Sequence, residues 1–226
     1  MPMQPMPYII FLIPALLTAQ LIFTLVLTKG EICPGQRGRV HKTLPVLLLG
    51  WVLVILQLPL ALLPLLALAY FTIKVKTGKT RDAGPLNMLS FANGLAGLAL
   101  LSVLFRVNLP MAGLSLTLGA ALGALLAHTL LTQARTRLQA FHRLLPFGGF
   151  AGAIVSLPFL VWYLSQFDEA ALAPITSSVI AALVAMVVAL LVWTGHIMLN
   201  KKANRWQLLG ALGLLVVSSG LQLSLF

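Results

Sequence analysis

Residues 44–73 read LPVLLLGWVLVILQLPLALLPLLALAYFTI, thirty consecutive positions without a charged side chain. As one straight helix this stretch would be about 45 Å long at 1.5 Å per residue, whereas the hydrocarbon core of a bilayer is about 30 Å thick. Two full crossings would need about 20 residues each. The stretch is therefore too long for one ordinary crossing and short for two, and the charges that flank it decide between the alternatives.

The composition of the chain places it among integral membrane proteins. Of its 226 residues, 60% are hydrophobic and 8% are charged, and the mean hydropathy is +1.02, whereas soluble proteins carry about 25% charged residues. We therefore expect one all-α transmembrane domain, a polytopic helical bundle over residues 1–226. The net charge of +11 lies in short loops between apolar runs, which favours anionic lipid headgroups over nucleic acid as its partner.

The basic residues predict which loops share a side of the membrane. By the positive-inside rule, segments rich in Lys and Arg are cytoplasmic. The N-terminus, which has no basic residue before its first apolar run, is then outside and continues into a retained helix rather than a cleaved signal. Residues 44–73 enter and leave from the cytoplasmic side, with a turn near Pro59 to Pro64. Fourteen of the fifteen basic residues lie in four segments, at residues 29–42, 74–81, 135–143 and 201–205.

The favoured architecture is about eight short helices in four hairpins, each of which runs from outside to inside and back. The hairpins resemble one another, which suggests internal duplication. In the alternative, residues 44–73 form a re-entrant hairpin. The other helices would then have to cover the turn of this hairpin, because exposed backbone polar groups are costly in lipid. The predicted helices cover residues 7–28, 44–58, 60–73, 86–105, 111–131, 146–165, 175–199 and 206–226.

Two of the predicted cytoplasmic segments have a recognisable local character. Residues 29–42, KGEICPGQRGRVHK, contain Gly and Pro in a pattern that predicts a loop without helix. Residues 136–145, TRLQAFHRLL, place leucine and phenylalanine on one helical face and arginine elsewhere. This second pattern predicts a short amphipathic helix that lies on the inner membrane surface.

Few ionisable residues fall within the predicted helices. No Asp or Glu lies there, which argues against carboxylate proton relays. His128 and His196 each lie near the inner end of a helix, so two imidazoles can meet and hold a haem iron axially; in the alternative, each bonds a carbonyl of its own helix end. Arg106 is the one basic residue predicted outside, and it either reaches lipid phosphate, attracts an anionic substrate, or pairs with Asp168 or Glu169 on the outer surface.

The sequence lacks the motifs of common enzymes. We find no GxSxG, HExxH, phosphate-loop or dinucleotide-binding glycine pattern, so we expect no catalytic residue, no metal site and, apart from the haem hypothesis, no cofactor. Cys33 is the only cysteine, which excludes an intrachain disulfide. Gly119 and Gly123 form a GxxxG pattern, which is typical of close helix contacts within a chain, with other subunits or in a homo-oligomer.

Three functions follow as hypotheses. The first is a non-catalytic subunit or assembly factor of a complex in a bacterial inner membrane, because the helices are rich in small packing residues and poor in reactive ones. The second is a small permease for a neutral or anionic solute, motivated by the repeated hairpins and by Arg106. The third is a haem-binding or other membrane-embedded redox protein that uses His128 and His196.

Overall fold

A computed structural model describes residues 8–75, 83–136 and 139–223 and shows helices without a strand in these ranges. The all-α membrane bundle is therefore confirmed. The ends of the first and last predicted helices and most of the second basic loop lie outside the described residues. The elements are α1 (Tyr8–Lys29), α2 (Pro34–His41), α3 (Pro45–Ile55), a 3₁₀ turn (Pro59–Ala61), α4 (Leu62–Lys74), α5 (Leu86–Leu104), α6 (Leu109–Gln133), α7 (Gln139–Leu164), α8 (Glu169–Leu172), α9 (Thr176–Met198) and α10 (Arg205–Gln222).

Six helices of the described chain are long and apolar enough to cross a membrane. They are α1, α5, α6, α7, α9 and the segment Pro34–Ile55, in which α2 leads into α3. The apolar segment Pro59–Lys74 is shorter. Helix α10 has 18 residues but is less apolar than those six. The number of crossings and the orientation of the loops therefore stay predictions.

The stretch 44–73 forms two helices with a break between them. Helix α3 ends at Ile55, and Leu58 has an extended backbone (φ −131°, ψ 94°) immediately before Pro59. A residue before proline is pushed out of the helical region, so Pro59 ends the first helix. Pro64 is the third residue of α4, where a backbone N–H would have no helical partner. The connection between α3 and α4 thus covers residues 56–61, of which the last three form the 3₁₀ turn, and it overlaps the turn predicted near Pro59 to Pro64.

The prediction that residues 29–42 contain no helix is wrong. Cys33 has an extended backbone and Pro34 is the first residue of α2, a position that proline favours. The N–H groups of Gln36 and Arg37 both bond the Cys33 carbonyl, at 2.9 and 3.0 Å. The glycines therefore weaken this helix without preventing it, because the proline supplies its start and Gln36 and Val40 are buried against the bundle.

The amphipathic segment at residues 136–145 is not a separate helix. Arg137 and Leu138 lie outside the described residues, and α7 runs without a break from Gln139 to Leu164 with Pro146 and Pro158 inside it. The sequence pattern placed a helix start at Pro146, but prolines are tolerated within membrane helices, where neighbouring groups satisfy the freed carbonyls.

The long helices form two rings of four in chain order. In the first ring, α1 contacts α3, α3 contacts α4, α4 contacts α5, and α5 returns to α1. In the second ring, α6 contacts α7, α7 contacts α9, α9 contacts α10, and α10 returns to α6. Helices α1 and α6 also pack against each other. The first helix of each ring therefore joins the two halves, and both helices are the most buried of the six.

The GxxxG pattern of α6 is used in this contact between the rings. A side chain at Gly119 would collide with Pro14 of α1, and one at Gly123 would collide with the Ala15 carbonyl and Thr18. Ser115 adds a hydrogen bond to the Ile10 carbonyl at 2.6 Å. Helix α1 of the same chain therefore packs against both glycines, and a homo-oligomer or another subunit that binds through Gly119 and Gly123 stays a prediction.

Hydrogen bonds between loops agree with the predicted pairing of sides. Arg39, in the basic segment 29–42, donates through Nε to the Ala134 carbonyl at 2.7 Å, and Ala134 immediately precedes the basic segment 135–143. At the opposite end, Asn108 Nδ2 donates to Gln166 Oε1 at 3.1 Å. At each end of the bundle, one pair of loops predicted to share a side therefore meets in the structure.

Labelling at Leu56 distinguishes two crossings from a re-entrant hairpin. Leu56 is 70% exposed in the break between α3 and α4. If residues 44–73 cross twice, Leu56→Cys in a Cys33→Ser background reacts with a membrane-impermeant maleimide added outside. Protection from both sides until detergent is added indicates the re-entrant form, and labelling from the cytoplasmic side contradicts both arrangements.

The wild-type chain supplies the control for sidedness. Cys33 is exposed, and the nearby backbone N–H of Gln36 lowers the pKa of its thiol. Since the thiolate is the reactive form, Cys33 should react near neutral pH faster in the folded protein than in the unfolded chain. Its labelling is expected from the cytoplasmic side alone.

Candidate functional site

Three histidines and a tryptophan meet in the second ring. His128 of α6 lies between His142 of α7 and His196 of α9, with ring centroids 5.1 and 5.5 Å away. The Trp193 ring of α9 lies 6.3 Å from that of His128. The structure therefore brings the two predicted histidines together and adds His142 and Trp193, which the sequence did not indicate. We call these four residues the histidine cluster.

Close packing between α7 and α9 positions the cluster. Trp193 is fully buried, and its indole lies where a side chain at Gly149 would be. His128 is also fully buried. On α7, His142 is partly buried. It lies within the helix because α7 begins at Gln139 rather than at Pro146. A prediction that began α7 two turns earlier would have placed His142 inside this helix and indicated its position near His128.

The hydrogen bonds of the cluster determine its protonation pattern. Trp193 Nε1, which can only donate, bonds His128 Nδ1 at 2.9 Å, so His128 carries its proton on Nε2. That proton lies toward His142 Nδ1 at 3.0 Å. His142 Nε2 in turn donates to the Thr136 carbonyl at 3.2 Å. Both rings are therefore neutral, and every ring nitrogen of the two is used.

His196 leaves one ring nitrogen without a partner. Its Nδ1 lies 2.7 Å from the Trp193 carbonyl, which only accepts, so Nδ1 is the protonated nitrogen. The other nitrogen, Nε2, is buried and bonds no described residue. This is the arrangement proposed as the alternative for both histidines, a bond to a carbonyl of the same helix end, but only His196 adopts it. His128 lies more deeply within its helix, five residues before Gln133.

Axial haem binding by His128 and His196 would require a free ring nitrogen on each of the two histidines. An axial ligand needs a free nitrogen lone pair, and His196 Nε2 provides one, whereas His128 would first have to release Trp193 or His142. The described residues contain no group of three or more His, Cys, Asp or Glu side chains arranged to bind a metal ion. A haem pair of His128 and His196 stays a prediction, whose signature is a Soret band that disappears in His128→Ala.

Arg106 lies apart from the cluster, between α5 and α6. Its side chain is exposed. The acidic Asp168, expected on the same side, caps α8 by accepting from the Ala171 N–H at 2.9 Å. A role for Arg106 in binding an anionic substrate stays a prediction.

Comparison with known proteins supports the membrane assignment. A family model described as an integral membrane domain matches residues 3–223. The chain belongs to this family. A protein of Haemophilus influenzae that carries the name "Uncharacterized protein" is 39% identical over 144 residues, which are 58% of this chain and 53% of that protein. The match thus spans about half the length of this curated relative, and no solved structure matches the chain.

The Trp193 bond makes a prediction about stability. Trp193→Phe leaves the buried His128 Nδ1 without a donor, which costs about 1–3 kcal/mol in the free energy of unfolding. We expect this loss in SDS titrations of the protein in mixed micelles. The matched control is Trp206→Phe, because Trp206 is 67% exposed and surface changes usually stay within about 0.5 kcal/mol.

A double variant separates the hydrogen bond from the lost volume. Replacing both partners of a buried bond is nearly neutral relative to removing one of them. Trp193→Phe combined with His128→Leu should therefore be less destabilising than the sum of the two single changes. Strict additivity would show that the bond contributes nothing.

Proposed function

We propose that the protein is a non-catalytic subunit or assembly factor of a complex in a bacterial inner membrane, and that α10 binds its partner. The observation that supports this is the outward face of α10. Gly210, Gly213 and Gly220 lie there with no atom of the described chain within 4 Å of the position that a side chain would occupy. These glycines do not serve the packing of their own bundle.

The spacing of this face suits a second helix. Gly213 and Gly220 are seven residues apart, which is two turns of a helix that packs along a partner. Exposed Leu209, Val216 and Val217 flank them. Small residues let helix backbones approach closely in membranes, where association depends on van der Waals contact. A transmembrane helix of a partner subunit would fill the groove that the glycines leave.

The glycines of α6 give an internal comparison. Gly119 and Gly123 also leave space beside their helix, but α1 packs against each of them. Gly152 of α7 likewise packs against the Thr117 carbonyl of α6. The chain therefore uses glycines for close helix contacts inside its bundle, and we infer that α10 uses them toward a partner. Gly94 and Gly97 of α5 also face open space, but their helix lacks the seven-residue glycine repeat.

Substitution on α10 tests the proposal. Gly213→Leu should leave the protein folded, because no described residue packs within 4 Å of a Cβ at this position. The same change should remove a partner that co-purifies with the wild type in mild detergent. The matched control is Gly148→Leu, since Gly148 of α7 also faces open space. Equal recovery of the same proteins with Gly213→Leu, or purification of the wild type as a lone species, contradicts the proposal.

A second candidate function is a small permease for a neutral or anionic solute. The two rings have the same chain order, and parallel repeats of this kind form the halves of known transporter folds. Reconstituted protein should then carry a solute across liposome membranes, and for an anion Arg106→Ala should reduce the rate. Absence of flux for a solute panel that includes neutral and anionic compounds contradicts this candidate.

A further inference from the structure

Two arginines meet where α2, the helix that leads into the first ring, touches the end of α6 in the second ring. Arg39 of α2 donates through Nε to the Ala134 carbonyl at 2.7 Å and through Nη2 to the Arg135 carbonyl at 3.4 Å. A guanidinium group has five N–H donors, so three remain after these two bonds. Because the Arg39 side chain is exposed, the remaining donors are accessible to a ligand outside the protein.

Arg135 has a backbone conformation that arginine rarely adopts. Its φ is +51°, in the left-handed region where a Cβ is crowded. Arg135 follows Ala134, the C-cap of α6, at a position that is usually glycine. The equivalent residue after α9 is Asn200, also at φ +51°, but asparagine tolerates this region better than arginine does. Strained backbone of this kind is common at binding sites, and the Arg135 side chain is exposed.

The positive charge at this contact has little counter-charge in the neighbouring sequence. Segments 29–42 and 135–143 contain seven Lys and Arg side chains against one acidic residue, Glu31. Lys42 lies three residues after Arg39, on the same helical face, and it is also exposed. We call the three exposed cations Arg39, Lys42 and Arg135 the basic junction.

An apolar helical face continues from the basic junction along α3. Helix α2 leads into α3 within the apolar segment Pro34–Ile55. Exposed side chains recur along this segment every three or four positions, a spacing that places them on one face, at Arg39, Lys42, Val46, Leu49 and Leu53. The last three are 42%, 68% and 52% exposed. One face of the segment therefore has cations at one end and apolar side chains along the rest, which is the pattern of a phospholipid.

We propose that the basic junction and this apolar face bind one anionic phospholipid. Its phosphate lies against the three cations, and an acyl chain lies along the apolar side chains of α3. The planar N–H donors of arginine match the geometry of phosphate oxygens, and basic side chains at helix ends attract anionic headgroups. Phosphatidylcholine has the same phosphate, but its choline cation would be repelled by the basic junction. The bound lipid would connect the two rings at their basic end, beside the Arg39 hydrogen bonds.

The lipid site goes beyond the proposed function and does not depend on it. The partner surface lies on α10, whereas the lipid site lies on α2, α3 and the residue that follows α6. Loss of the co-purifying partner in Gly213→Leu and loss of lipid binding are therefore separate outcomes.

Native mass spectrometry of the full chain, released from detergent micelles, tests the proposal. Phosphatidylglycerol is titrated into the wild type, and phosphatidylcholine with the same acyl chains is the comparison. We expect saturable binding of one phosphatidylglycerol, at least fivefold tighter than binding of phosphatidylcholine. Equal affinities for the two lipids, or adducts that grow without saturation, overturn the proposal.

A soluble phosphate distinguishes a lipid from a free anion. Glycerol 3-phosphate has the phosphate without acyl chains, so it should not displace bound phosphatidylglycerol at an equal concentration. Displacement under that condition would show that the apolar face contributes nothing, and it would overturn the assignment to a lipid.

Substitution of Arg135 removes one cation and keeps the fold, because glycine adopts the left-handed conformation without strain. Arg135→Gly should weaken phosphatidylglycerol binding about fivefold, the effect expected for one basic residue near an anionic headgroup. Asn200→Gly is the control for the backbone conformation. Lys74→Gln is the control for charge, because Lys74 is exposed at the end of α4 in another basic segment.

Neither control should change the affinity as much as twofold. An equal loss in Lys74→Gln would show attraction spread over the whole basic end, and it would overturn a defined site, as would unchanged affinity in Arg135→Gly. The comparison of the two lipids uses the wild-type chain, so it stands even if a variant does not fold.

Discussion

The close contact between α1 and α6 is the constraint on which the rest of the structure depends. Lipid tails are as apolar as the helix surfaces, so the hydrophobic effect does not drive helices together within a bilayer. Association relies instead on backbones that approach closely. Gly119 and Gly123 provide this against Pro14 and Ala15, and the two rings of four helices are arranged around the pair. A larger side chain at either glycine would force the rings apart.

Both rings solve the problem of buried polar groups in a related way. In each ring a tryptophan indole donates to a polar side chain on the helix that joins the two rings. Trp51 donates to Gln20 of α1, and Trp193 donates to His128 of α6. Lipid tails offer no hydrogen-bond acceptor to an indole N–H, and these two indoles each bond one acceptor inside the protein. The acceptors differ, so the first ring has amide chemistry and the second has imidazole chemistry in an otherwise apolar bundle.

Much of the architecture was predictable from local signals. The alternation of apolar runs and basic segments located the long helices within a few residues, except for the N-terminal end of α7, and the prolines of residues 44–73 located a break. The site was predictable in part, since His128 and His196 were identified and do meet. His142 was missed because Pro146 was taken as the start of α7. The role of Gly119 and Gly123 was recognised as close helix contact, but the sequence offered no way to choose α1 over a second chain.

The sequence by itself determined the membrane class and the helical fold and predicts the grouping of the loops, because apolar length and charge distribution act along the chain and can be interpreted without knowing which helices touch. Only the tertiary structure decided which polar side chains pair, that both nitrogens of His128 are used while one of His196 is not, and that the glycines of α10 face outward. Those properties depend on the rotation of each helix about its axis, which packing between helices sets and composition does not record.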